Sequence, residues 1–300
     1  MAELNQDLSP RRRLILSGIA AGGITLLTTS VMAAGKEVKK NRIVCIGGAL
    51  TEIVYALGAN DDLVGVDTTS LFPEAATKLP SVGYARSLSS EGILALSPNH
   101  VFATEDAGPA SVLKQIEKSG IPVSILAANH KFEGVLERIS QIGLMLEKQA
   151  QAEALVQSLK LEWQKSRAAI LEQKQKPASV MFILSHSPSQ IMVGGKGSSA
   201  QAMLEYAGAS NAVQGFNGFK PINPEAIIAA QPDIFLFTTE GLDAIGGVDG
   251  ALRLPGISQT PAGKARKIIA LEAMFMLGFG PRLPAAVTAL NNLIRKVHYG

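Results

Sequence analysis

From Arg42 onward, short continuous apolar runs alternate with stretches whose apolar residues recur three and four positions apart. R-I-V-C-I-G-G (Arg42–Gly48) predicts a strand that ends in a glycine turn. In A-L-T-E-I-V-Y-A-L-G-A, which follows it, Leu50, Ile53, Val54 and Leu57 share one helical face and Gly58 supplies the stop. D-L-V-G-V-D reads as the next short strand, and residues 68–86 as a polar loop carrying Pro73 and Pro80. A helix over Ala110–Ser119 leads through G-I-P into the strand V-S-I-L-A. Strand and helix alternate throughout, which predicts a mostly parallel sheet with helices on both faces.

The pattern changes between Phe132 and Lys176, where two proline-free runs keep helical periodicity without a strand between them. The second run, from about residue 150 to 176, would make a helix about 40 Å long at 1.5 Å per residue. Strand-and-helix alternation resumes after Pro177 with A-S-V-M-F-I-L, a glycine-rich turn and S-S-A-Q-A-M-L-E-Y-A-G-A, an echo of the opening of the first half.

A longer repeat supports this division. E-G-I-L-A-L-S-P-N-H-V-F-A-T begins at Glu91, and E-A-I-I-A-A-Q-P-D-I-F-L-F-T begins 134 residues later at Glu225. In both, an acidic residue opens a short apolar helix, Pro ends it and a strand follows. The separation far exceeds the roughly 20–50 residues of solenoid repeats and fits two similar lobes. The expected architecture is therefore α/β, with two similar lobes of mostly parallel sheet joined by one long helix and a ligand cleft between them. The expected boundaries are an N-terminal lobe over 41–145, a connecting helix over 146–176 and a C-terminal lobe over 177–300.

Composition narrows the role. Three hundred residues with 47% hydrophobic content suffice for two ordinary domains. Residues 1–34 carry Arg11, Arg12 and Arg13 ahead of an apolar stretch that ends in small residues, which reads as an export signal of twin-arginine or Sec type. Without that segment, which carries a net +1, the net charge of +3 falls to +2. No basic stripe interleaved with aromatics is present, so nucleic acid is not expected as a partner. Cys45, the only cysteine, falls inside the first strand, where a buried inert thiol is expected.

The duplicated phrase, the long helix and the two-lobe plan together resemble the periplasmic substrate-binding proteins of ABC importers for cobalamin, siderophores and haem. V-G-Y-A-R-S-L-S-S-E-G-I-L-A-L (Val82–Leu96) and L-G-F-G-P-R (Leu277–Arg282) are more narrowly similar to the haem-binding branch. The resemblance implies that Tyr84 ligates haem iron, a hard anionic phenolate on hard ferric iron. In an extended loop Arg86 would lie on the same side, to pair with the phenolate or with a haem propionate. His186, after the first strand of the second lobe, is a candidate second ligand or a hydrogen-bonded loop histidine. His100, His130 and His298 show no partner pattern. The glycine turns at Gly47–Gly48 and Gly194–Gly197 offer backbone N–H groups to propionates, or are plain strand-to-helix turns.

The resemblance further implies that Glu91 and Glu225, one per lobe, dock onto arginines of an inner-membrane permease dimer. It implies haem as the transported ligand, the periplasm as the site of action and no catalysis. A ferric siderophore or cobalamin is the alternative cargo. An α/β enzyme has no support, since G-x-S-x-G and phosphate-loop motifs are missing.

Overall fold

A computed structural model describes residues 41–184 and 191–300. The first lobe runs β1 (Ile43–Ile46), α1 (Gly48–Ala56), β2 (Leu63–Val66), α2 (Ser90–Leu94), β3 (His100–Thr104), α3 (Ala110–Lys118), β4 (Val123–Leu126) and α4 (Phe132–Met145). A long helix, α5 (Gln149–Leu171), then leads to β5 (Ser179–Leu184), β6 (Met192–Gly194), α6 (Ser199–Tyr206), β7 (Ser210–Asn211), β8 (Phe219–Pro221), α7 (Pro224–Ala230) and β9 (Ile234–Thr238). The chain closes with α8 (Thr239–Ala244), α9 (Gly247–Arg253), α10 (Pro261–Lys264), β10 (Ile268–Leu271), α11 (Ala273–Leu277) and α12 (Leu283–His298).

The first sheet has the order β2-β1-β3-β4 and is parallel throughout. The second contains the same order, since β7 and β9 flank β5 and β10 flanks β9, all parallel. Its mixed character comes from β6 and β8, an antiparallel pair of additions on the β5 edge. The duplicated phrase falls on matching elements, α2 with β3 and α7 with β9, whose strands begin at His100 and Ile234, again 134 residues apart. Ile93 and Ile227, at equivalent positions, are both fully buried. β9 (I-F-L-F-T) is buried along its whole length, as a parallel strand covered on both faces must be.

The helical segment after Phe132 divides into α4 and α5 at Leu146–Lys148, and α5 stops at Leu171 short of residue 176, so the long helix covers about 34 Å rather than about 40 Å. On α4, Phe132, Val135, Ile139 and Ile142 form a buried stripe at helical spacing. On α5 the buried set shrinks to Ala152, Leu159, Ser166 and Ile170, a narrow seam, while Leu161 and Leu171 are exposed. Each sheet has an outer apolar layer of its own, but their inner layers merge. Residues of α1, α4, α5, α6 and α12 pack into a single buried cluster that spans both lobes. Its aromatic hub stacks Phe132 on Trp163 at 4.5 Å, and Tyr206 meets Trp163 edge-on at 4.7 Å, linking α4, α5 and α6. Large excursions of one lobe against the other would open this core, a stronger restraint than the connecting helix alone provides. Among the described residues no helix is long and apolar enough to cross a membrane, and residues 1–34 lie outside them.

Candidate functional site

Because every strand of the first sheet is parallel, the residues just beyond their carboxyl ends gather along one edge, where α/β folds build ligand sites. Gly47 follows β1 there, with φ 121 and the Thr104 methyl 2.7 Å from where a Cβ would stand, so only glycine fits. The N–H groups of Gly47 and Gly48 donate to Asp67 Oδ1 and Thr69 Oγ1, each at 2.9 Å. This turn is thus satisfied internally and behaves as the strand-to-helix turn of the two readings.

Tyr84 and Arg86 lie in a loop stitched to that edge. Thr68 N–H donates to Gly83 O, Leu88 N–H to Gly108 O and Gly108 N–H to Ala85 O, at 2.8–3.0 Å. Ala85 and Leu88 are buried while Tyr84 and Arg86 face outward from a turn, closed by Ser87 N–H donating to Tyr84 O at 2.8 Å, rather than from the extended loop expected. Tyr84 leaves 44% of its surface exposed, although it is a large aromatic residue. Arg86 Nη1 donates to Tyr84 Oη at 2.8 Å, and Arg86 Nη2 donates to Asp106 Oδ2 at 2.5 Å. Arg86 thus touches the phenol oxygen, one of the two partners the sequence offered it.

Asp106 stands just beyond β3. Burial pushes its carboxyl pKa up, but hydrogen bonds from Thr104 and Arg86 and the guanidinium charge outweigh this and leave it lowered. Arg86 answers in kind: burial pulls its pKa down, while Asp106 and Tyr84 more than compensate and raise it. The three side chains form a chain of carboxylate, guanidinium and phenol.

Beyond β4 comes His130, half-buried with a positive φ of 51 and its ring 5.3 Å from that of Phe279 in the second lobe. Burial and the nearby Arg138 charge lower its pKa, against opposing contributions from Glu105, Asp106 and the Gly197 backbone. His130 therefore belongs to the junction of the lobes, a place the sequence reading did not assign. The signal was available, since His130 follows a parallel strand in the same way as His186. His186 itself lies outside the described residues. His100 begins β3 and meets Ser124 Oγ at 2.8 Å through Nε2.

A second arginine bridges the lobes. Arg282 donates to Glu52 through Nε at 3.0 Å and through Nη2 at 2.5 Å, and its guanidinium lies 4.0 Å from the Phe72 ring centroid and 5.0 Å from that of Phe275. Glu272 approaches the same group at 3.4 Å. Leu71, Phe72, Glu272, Phe275 and Arg282 line a hollow of about 270 Å³. A larger groove of about 650 Å³ runs between α5 and α12 and contains none of the candidate residues. Glu91 and Glu225 sit exposed in the first turns of α2 and α7, and Asn223 Oδ1 caps the latter by accepting from Ala226 N–H.

Comparison with known proteins places these features in context. The pattern of the periplasmic binding protein family matches residues 43–274. Among solved structures, the periplasmic heme-binding protein BhuT in complex with two hemes is 42% identical at a TM-score of 0.82, covering 85% of this chain and 98% of that one. The heme-binding protein RhuT from Roseiflexus sp. RS-1, in apo form, is 37% identical at a TM-score of 0.83, covering 86% and 99%. Among curated proteins, the ABC transporter substrate-binding lipoprotein YvrC of Bacillus subtilis is 31% identical over 85% of this chain and 79% of its own length. The vitamin B12-binding protein of Vibrio campbellii is 27% identical over 68% and 73%.

Proposed function

Since this chain belongs to the periplasmic binding protein family, we propose that it captures haem in the periplasm and delivers it to an inner-membrane ABC importer. The observation that carries this reading is the exposed Tyr84 oxygen, already hydrogen-bonded to Arg86, in a chain whose fold matches heme-binding proteins at up to 42% identity. A phenolate oxygen is a hard anionic ligand suited to ferric iron, and the hydrogen bond from Arg86 holds the Tyr84 oxygen in place. Tyr84 acts as the iron ligand, Arg86 supports the phenolate, and His186 is the candidate for the opposite face of the iron. The chain carries cargo and performs no reaction of its own.

Glu91 and Glu225 support the docking half of the proposal. Both are exposed carboxylates at the start of equivalent helices, each backed by a fully buried isoleucine in the outer apolar layer of its own lobe. One carboxylate per lobe suits a dimeric permease that offers one arginine per subunit. Residues 1–34 serve as the export signal, 41–145 and 177–300 as the lobes, and 146–176 as their link.

The vitamin B12-binding relatives give cobalamin as the second reading. Parallel titrations of the mature protein with hemin, cyanocobalamin and a ferric siderophore separate the possibilities. Saturable binding of hemin alone supports haem; tight cyanocobalamin binding with no hemin spectrum would replace it.

A further inference from the structure

We infer that Asp106 is a positioning residue of the iron site, fixing the guanidinium that in turn holds the Tyr84 oxygen. The inference rests on the haem reading above and adds a residue to it. Its basis is the continuous contact from Asp106 Oδ2 to Arg86 Nη2 at 2.5 Å and from Arg86 Nη1 to Tyr84 Oη at 2.8 Å. A guanidinium is a rigid planar fork, so holding one terminal nitrogen sets the direction of the other. Asp106 is itself anchored, by a hydrogen bond from the Thr104 side chain and one involving its own backbone, at the end of a central strand. The two loops are tied by backbone bonds between Gly108 and both Ala85 and Leu88. Position therefore passes from the sheet, through Asp106 and Arg86, to a tyrosine that is otherwise 44% exposed.

Exposure argues against a mainly structural purpose. The Arg86 and Asp106 side chains are 61% and 47% exposed, and ion pairs in such surroundings contribute little to folding. A pair this exposed is better explained by what it holds in place, the Tyr84 oxygen that Arg86 also touches. Asp106 also acts through space on His130, as do Glu105 on the adjoining loop and Arg138 on α4. Arg86 is the cation that Asp106 directly grips.

The arrangement predicts a specific pattern among variants. In Asp106→Ala, hemin affinity should fall by about ten-fold, the usual scale for removing an outer partner of a metal ligand, and the ferric-phenolate band should shift. Asp106→Glu should recover part of both. In an Arg86→Ala background, Asp106→Ala should cause no further loss, because it acts only through that arginine. Thermal unfolding of the apo protein should stay the same. A haem-free readout separates this inference from the cargo reading: in apo protein, nitrogen NMR should show slow rotation of the Arg86 guanidinium, and Asp106→Ala should release it. Free rotation in the wild-type apo protein, or equal losses from Asp106→Ala with and without Arg86, overturns the positioning role. Retained slow rotation in a protein that binds no hemin would instead sink the cargo reading.

Discussion

Two of the arginine–carboxylate pairs among the described residues share a 2.5 Å contact and have opposite surroundings. Arg86 and Asp106 both come from the first lobe and are 61% and 47% exposed. Arg282 and Glu52 come from different lobes, 230 positions apart, and are 23% and 5% exposed. Contact length therefore says little about what a pair does. The exposed pair has little to contribute to folding and is free to serve the ligand site. The second pair has no such freedom, because the Glu52 carboxylate has left water and depends on Arg282. Two aromatic rings over the Arg282 guanidinium further fix it in the seam between the lobes.

Breaking each pair tests the contrast, and the largest effect belongs to the clasp. Arg282→Ala leaves the Glu52 carboxylate buried without its partner and should cost about 3 kcal/mol, read as a lower denaturation midpoint. The effect should depend on pH. Burial raises the Glu52 pKa, Arg282 pulls it partway back, and Glu272 adds a smaller upward push. A carboxyl whose folded pKa lies above its unfolded value stabilises fully in acid, and that contribution is lost as pH climbs through the raised value. Removing Arg282 takes away the downward pull, so the deficit should be largest above the raised value and shrink as pH falls through it. A deficit that grows on acidification would show that Glu52 is ionised and content without Arg282.

Arg86→Ala should give the converse result. Folding stability should change by less than about 1 kcal/mol, while hemin affinity falls about ten-fold. Equal damage to folding and binding would erase the distinction between the pairs. The smallest effect is expected from Glu91→Ala and Glu225→Ala, each within about 0.5 kcal/mol of wild-type stability and with unchanged hemin affinity. Permease-stimulated transport should nevertheless drop in both; full transport by the double variant would remove these carboxylates from docking.

Local patterns carried much of this account. The 134-residue repeat landed on matched helices and strands because its helix-stopping Pro and apolar core positions are local features. Tyr84 and Arg86 do share a side, but a turn closed by Ser87 N–H on Tyr84 O brings them together, not the extended backbone expected. The partners that complete the site were harder to see. Asp106 lies 20 positions from Arg86, and Glu52 lies 230 from Arg282, separations at which no periodicity links two residues. His130 was legible only by applying the strand-end rule to every strand of the sheet rather than to β5 alone. The β6 and β8 additions were missed for another reason: each has three residues, too few for an alternating pattern to register.

The central claim is that one phenolate grips the iron. Its most direct test is the visible spectrum of hemin titrated into wild-type and Tyr84→Ala protein side by side. The wild type should saturate and develop a ferric-phenolate charge-transfer band; the variant should lose that band and bind about 100-fold more weakly, close to 2.7 kcal/mol. The same band and the same affinity in both proteins would contradict the account.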